Sequence, residues 1–257
     1  MFDNGWDVSA RLVDDVWVER IPRRNDEAPA LERETLLLPW LAPQLPLAVP
    51  APVVTSREPL RVRHRLIEGD PCSCTSSVDG RLVGHFLKAL HRVDVAAAIE
   101  LGIPSAQASH DTNLLTFQRF RESVIPMLDS SLRPDAAGLL DRLSVPPERP
   151  TLIHADLGPD HIRANHISIT GIIDWVDACI GDPALDLSWI VFGASPKFGR
   201  AVTATYGPTG SILRRGRDWH LLGPWHEVLY GMDTDRPDLV RSGLEGVTSR
   251  LMDPTLH

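Results

Sequence analysis

The chain has 257 residues, 43% of them hydrophobic and 23% charged, with a formal net charge of -8. That length supports one or two domains with a sizeable core, and the acidic balance argues against nucleic acid as a partner, because phosphate backbones attract basic faces. The opening MFDNGWDVSARL lacks the basic head and apolar run of a secretory signal, and the apolar stretch near LSWIVFGA is too short to cross a bilayer, so a cytoplasmic protein with no membrane partner is expected.

Residues 11–21, RLVDDVWVERI, read as a hairpin whose turn falls at Asp14-Asp15. ALERETLLLPWLA carries apolar residues at helical spacing, and PLAVPAPVVTSREP, rich in proline, reads mostly as extended connection. LRVRHRLI alternates as a strand, and Glu68-Gly69-Asp70-Pro71 then breaks the pattern. Cys72 and Cys74 follow on an extended segment. With Cys179 they make neither a disulfide framework nor a zinc set, and reduced thiols are expected.

Beyond this break RLVGHFLKALHRVDVAAAIELG is one long amphipathic segment, continued in kind by FQRFRESVIPML and AAGLLDRLSV. PTLIHADL is a buried strand running into a loop, and HIRANHISITGIIDW a second hairpin with its turn near Ala164-Asn165-His166. From Pro183 the chain is mainly helical, with breaks at Gly207-Pro208 and Gly223-Pro224. Strands with one helix, then a hinge, then helices around a small strand pair describe an α+β, two-lobed molecule with a binding cleft between its parts.

The chemistry concentrates in HADLGPDHIRANHISITGIIDWVDACIGDPALD, residues 154–186. Asp156 stands in a loop after one apolar strand and Asp174 at the end of another. Two carboxylates on neighbouring strand ends can divide phosphoryl transfer between them: one accepts the proton of the attacking hydroxyl, the other binds magnesium on the phosphates.

HADLGPDHI followed by GIIDWVDACIGDPALDL resembles the signature of aminoglycoside phosphotransferases and their macrolide- and choline-kinase relatives, H-G-D-x-x-x-x-N, then I-D-W, then G-D-P-x-x-D. GWDVSARLV, WVERIPRR, ERE and the LHRVD segment have looser counterparts in the same order. The resemblance implies a protein-kinase-like fold, with a small β-rich N-terminal nucleotide-binding lobe at 1–67, a larger mainly helical catalytic and substrate-binding lobe at 68–257, and a hinge near 66–71. It implies magnesium and ATP or GTP as phosphate donor, the two nucleotides being indistinguishable here.

By the same resemblance, Asp156 is the catalytic aspartate, His154 braces its loop, and Asp174 binds magnesium. Asp182 and Asp186 are expected to tie loops together. Ala155 replaces the usual glycine, and an ordinary backbone angle is expected there. His161 stands where an asparagine commonly supplies the second metal ligand. Macrolide kinases are similar at that position, so metal contact, direct or through water, is expected of His161. His166 reads as an exposed turn residue.

In the nucleotide half, Gly5 and Ser9 match the phosphate loop, Arg20 the basic residue of the third strand, and Glu34 its helix partner. Ile67 and Gly69 are expected to present hinge backbone to the base. The phosphate loop begins almost at Met1, so the first strand of the usual lobe is expected to be nearly absent.

For the acceptor, Asp160, Asp177, Glu227, Asp233 and Asp235 would suit the ammonium groups of a cationic antibiotic. Trp189, Phe192, Trp219, Trp225, Leu229 and Tyr230 would suit a macrolide if they line a pocket rather than pack as core. The resulting expectation is an aminoglycoside O-phosphotransferase, monomeric or homodimeric. The alternatives are a macrolide phosphotransferase, a choline- or homoserine-type kinase, and a catalytically silent nucleotide-binding module.

Overall fold

The computed structural model describes residues 8–254, so Gly5 lies outside the described residues. Strands β1 (Val8–Val13) and β2 (Trp17–Pro22) form the first hairpin. Both turn residues, Asp14 and Asp15, have φ of 54°. A turn with two left-handed residues matches the twist of antiparallel strands, and Asp tolerates that conformation better than most residues. Helix α1 (Ala28–Leu41) follows and buries Leu31, Glu34, Leu37, Leu38 and Leu41.

Strands β3 (Val53–Arg57) and β4 (Leu60–Arg65) complete an antiparallel sheet of order β1-β2-β4-β3. β3 lies inside the stretch expected to be mostly connection. It is an edge strand whose Val53 is exposed, so no buried face marks it in the sequence. On the buried face of the sheet, Arg20 pairs with Val62 and Val18 with His64.

The chain leaves this sheet after Arg65. β5 (Asp70–Pro71) pairs with β7 (Ile162–Ala164), which pairs with β8 (Ile169–Ile172); β6 (Thr151–Ile153) pairs with β9 (Cys179–Gly181). Thus β7–β8 is the expected second hairpin. Its turn is closed by Asn165, whose Oδ1 accepts the N–H groups of Ile167 and Ser168.

The helical body comprises α2 (Ser77–Leu90), α3 (Val95–Glu100), α4 (Ala106–Arg119), α5 (Arg133–Leu143), α6 (Pro183–Phe192), α7 (Pro196–Tyr206), α8 (Gly210–Asp233) and α9 (Pro237–Leu251). Two expectations about it are corrected. The long amphipathic segment is two helices, because Asp94 turns extended and caps α3, accepting the N–H of Ala96 at 2.9 Å. The expected break at Gly223-Pro224 is absent, and α8 runs straight through it. Pro224 has no N–H to give the carbonyl of His220 four residues back. Arg250 of α9 donates to that carbonyl instead.

One apolar cluster lies under α2, α6 and the small strands and includes Phe86, Trp175, Ile180 and Phe198; another joins α4, α5, α8 and α9 through Phe120, Leu140, Trp225 and Val247. None of the described helices is long and apolar enough to cross a membrane.

Candidate active site

The loop after β6 is held by one buried carboxylate. Asp186, fully buried in the first turn of α6, accepts the backbone N–H of His154 on Oδ2 and that of Ala155 on Oδ1, each at 2.9 Å. Nε2 of His91 donates to Oδ2 at 3.0 Å. Burial pushes this carboxyl up, but the His91 hydrogen bond and charge, with His154, hold it below the usual carboxylate range. Asp182 caps α6 through the N–H of Ala184 and takes Arg215 and Trp219 Nε1 on its other oxygen. Both aspartates therefore join segments distant in sequence.

His154 is buried against Trp175, ring to ring at 4.7 Å. Its Nε2 lies 3.0 Å from the carbonyl of Ile173, which can only accept, so Nε2 carries the proton. Nδ1 is then free to accept the N–H of Asp156 at 3.3 Å. Burial lowers the pKa of this ring, which keeps it neutral. His154 thus spans the loops bearing Asp156 and Asp174.

Ala155 has φ of 71°, in the left-handed region, where an ordinary angle was expected. The bond from its own N–H to Asp186 fixes the peptide before it, the bond from the Asp156 N–H to His154 Nδ1 fixes the peptide after it, and an L side chain there is strained. This is the physical reason a glycine suits the position.

Asp156 points its carboxylate outward, with the side chain 63% exposed. Asp174, just past β8, has φ of 65°. His161 stands between them. Its Nδ1 donates to the carbonyl of Asp156 at 2.7 Å, and its Nε2 lies 3.6 Å from Oδ2 of Asp174. That nitrogen and Oδ2 of Asp174 are two donors, fewer than a divalent cation needs; among the described residues no group of three or more His, Cys, Asp or Glu side chains gathers to hold a metal ion, and a nitrogen suits magnesium less well than oxygen does.

The sheet contributes Arg20. Its Nη1 donates to both oxygens of Glu34, at 2.7 and 2.6 Å, and its Nη2 to Oδ1 of Asp174 at 2.5 Å. Glu34 is buried and Arg20 nearly so. Burial pushes the Asp174 carboxyl up, and the charge and hydrogen bond of Arg20 lead the opposing effects, so its pKa falls below the usual range. Residues 20, 34 and 174 form one ion network between the sheet and the helical body.

The remaining sequence candidates scatter. Ser9 sits on β1 opposite Ile21. Gly69 has φ of 123°, and a Cβ there would meet the Ala164 carbonyl oxygen at 2.6 Å. Ile67 packs on Gly171. Asp160 and Asp177 are exposed, in the loops after β6 and β8. Asp233 accepts Arg119 at 2.7 Å, and Glu227 accepts the Ser242 hydroxyl at 2.6 Å. Trp225 is fully buried in the helical core with an edge-on contact to Phe120, so it offers no surface to an acceptor. Trp219 and Leu229 are core residues too. His91 carried no role in the sequence reading, since its partner Asp186 lies 95 residues away.

The family model of the phosphotransferase enzyme family, APH, matches residues 2–224. The chain belongs to the APH family. Among solved structures, the GDP and kanamycin complex of an APH(2") enzyme shares this fold with a TM-score of 0.85 and 27% identity, over 96% of this chain and 90% of that one. The GDP complex of wild-type aminoglycoside 2'-phosphotransferase-IIIa is 26% identical with a TM-score of 0.83, over 96% and 90% of the two chains. A macrolide 2'-phosphotransferase from Brachybacterium faecium, at 24% identity and a TM-score of 0.73 over 95% and 89%, shares the fold. No curated protein matches the chain. The small antiparallel sheet is thus the N-terminal lobe of an APH-type kinase, and the helical body its C-terminal lobe.

Proposed function

We propose that this APH-family enzyme transfers the γ-phosphate of ATP or GTP to a hydroxyl of an aminoglycoside. The observation that carries this reading is the shared imidazole: the Asp156 carboxylate lies 3.4 Å from Nδ1 of His161 and the Asp174 carboxylate 3.6 Å from its Nε2. Asp156, the exposed carboxylate, accepts the proton of the attacking hydroxyl as the phosphoryl group departs the nucleotide. Asp174, with His161, would hold magnesium, which when bound neutralises charge on the phosphates. Arg20, fixed by Glu34, reaches the phosphates with its charge intact, since Glu34 and Asp174 more than offset the effect of burial on it.

On this reading the lobes divide near residue 67, with the hinge at 66–71 presenting backbone to the base. GDP in the two similar aminoglycoside enzymes supports a purine nucleotide there. The chain works in the cytoplasm, where nucleotide is available and Cys72, Cys74 and Cys179 stay as free thiols.

The test is transfer of labelled γ-phosphate from ATP and GTP, with magnesium, to kanamycin and to a macrolide. Transfer to kanamycin is expected, with Asp156→Ala lowering kcat by about 10²–10⁴ at unchanged thermal midpoint. A macrolide as sole acceptor would redirect the assignment. That second reading draws on one observation: Asp233 and Glu227, two of the five acids considered for ammonium groups, already hold partners within the chain. Full activity of Asp156→Ala would remove the mechanism altogether.

A further inference from the structure

Helices α2 and α7 lie close because α2 turns glycines toward α7. A Cβ at Gly80 would meet the Phe198 carbonyl oxygen at 2.7 Å, and one at Gly84 the Cβ of Thr205 at 2.7 Å. The contacts advance along both helices in the same order, so the two run parallel and end side by side. His91 follows the last turn of α2, and Tyr206 is the last residue of α7. Their rings meet edge-on, centroids 5.4 Å apart, and the Tyr206 hydroxyl lies 2.8 Å from Nδ1 of His91.

The far nitrogen of this imidazole is already assigned. Nε2 bonds Oδ2 of Asp186, a carboxylate that can only accept, so Nε2 carries the proton. In the neutral ring Nδ1 is then a bare acceptor. The His91 side chain is 4% exposed, and a buried acceptor calls for a donor. The Tyr206 hydroxyl supplies it. Burial, then the charge of Asp186, pushes this phenol up to about 12, so it keeps its proton at neutral pH. The groups therefore stand in series: Tyr206 hydroxyl, His91 imidazole, Asp186 carboxylate, and the N–H groups of His154 and Ala155. Asp156 comes next in the chain, after an Ala155 held at φ of 71°. Such a backbone persists only where its surroundings over-determine it.

We propose that Tyr206 is a positioning residue for the catalytic loop: its hydroxyl pins His91 in the tautomer that donates to Asp186, and Asp186 so served holds the peptides that aim Asp156. Without the hydroxyl, the two neutral tautomers of His91 compete. In one, Nδ1 is buried and unpaired. In the other, the proton sits on Nδ1, and Nε2 turns a lone pair on Asp186. Both loosen the grip on His154 and Ala155. A displaced Asp156 slows the step in which it takes the hydroxyl proton and leaves nucleotide and acceptor binding as they are.

This inference rests on the phosphotransferase reading, so two of its measurements need no activity. Nitrogen NMR of the wild-type protein should show His91 protonated at Nε2 and bare at Nδ1. Tyr206→Phe, which removes only the hydroxyl, should speed amide exchange at His154 and Ala155 while the rest of the core keeps its wild-type rates. In kinetics, Tyr206→Phe should lower kcat about three- to tenfold, the loss of one buried hydrogen bond, with the KM of nucleotide and of kanamycin unchanged. A double variant separates positioning from packing. In His91→Gln the amide donates to Asp186 and has no tautomer to set, so adding Tyr206→Phe to it should change kcat by less than about twofold.

A protonated Nδ1 in the wild type overturns the proposal. So does unchanged kcat with unchanged amide exchange in Tyr206→Phe, or an equal fall in kcat with and without His91→Gln. A KM that rises at constant kcat places Tyr206 in binding and overturns it as well. Wild type that phosphorylates no acceptor overturns the activity instead, and faster exchange at His154 and Ala155 in Tyr206→Phe then upholds the positioning role by itself.

Discussion

Nη2 of Arg20 lies 2.5 Å from Oδ1 of Asp174, although the two residues are 154 positions apart and belong to different lobes. The same guanidinium holds both oxygens of the buried Glu34. Removing Arg20 would leave a buried carboxylate without its counter-charge, a change that costs about 3–5 kcal/mol. Arg20→Met should therefore unfold at markedly lower denaturant. Arg20→Lys keeps the charge but cannot fork to two carboxylates, so it should fold and show a raised nucleotide KM. A wild-type melting point for Arg20→Met would show that the network carries no stability.

Ala155 predicts a gain. An L residue in the left-handed region costs about 1–2 kcal/mol, and glycine returns part of that through the entropy of the unfolded chain. Ala155→Gly should raise stability by about 0.5–1 kcal/mol, read from the urea midpoint at constant slope. A midpoint that falls would mean that the loop relaxes around alanine at no cost.

Acid sensitivity follows from the buried histidines. Burial first, then Arg250, pushes the pKa of His220 to about 4. A folded value below the unfolded one, about 6.5, means that stability is intact above pH 6.5 and is lost as pH falls toward 4. The loss from His220 should be of order 2–3 kcal/mol at the acid end, and His154 and His64 shift in the same direction. Asp174 and Asp186, whose folded values are depressed, extend the loss below about pH 4. His220→Leu should flatten the stability profile between pH 7 and 4.5; the wild-type slope in that variant would refute the assignment to His220.

His161 predicts a metal preference. A nitrogen donor opposite Asp174 favours manganese over magnesium more than an all-oxygen set does. His161→Asn should raise the ratio of magnesium- to manganese-supported kcat/KM several-fold. An unchanged ratio would place His161 outside the metal site and leave it with its bond to the Asp156 carbonyl.

The sequence displayed this site unevenly. Asp156, His161, Asp174 and Asp186 fall within residues 154–186, so their spacing could be read directly and matched to a family signature. Arg20 and Glu34 were reachable only through that resemblance, since a surface ion pair and a buried network look alike in one chain. The handedness of Ala155 is imposed by Asp186 and leaves no trace in residue type. Helix α8 ran on through Pro224 because Arg250, thirty residues away, satisfies the freed carbonyl.

Two stretches of the chain from the N-terminal lobe, around Ala48 and after β4, end on one hairpin. Ala48, before β3, accepts the N–H of Ile172 at 2.9 Å. After β4, the carbonyl of Glu68 takes the Thr170 hydroxyl and that of Gly69 takes Arg163. This hairpin begins one residue after His161 and ends two before Asp174. The sheet is thus moored at two points to the same post, and that post has His161 and Asp174 on its flanks. A rotation of the sheet against the helical body would turn about this hairpin and so pull on His161 and Asp174 together.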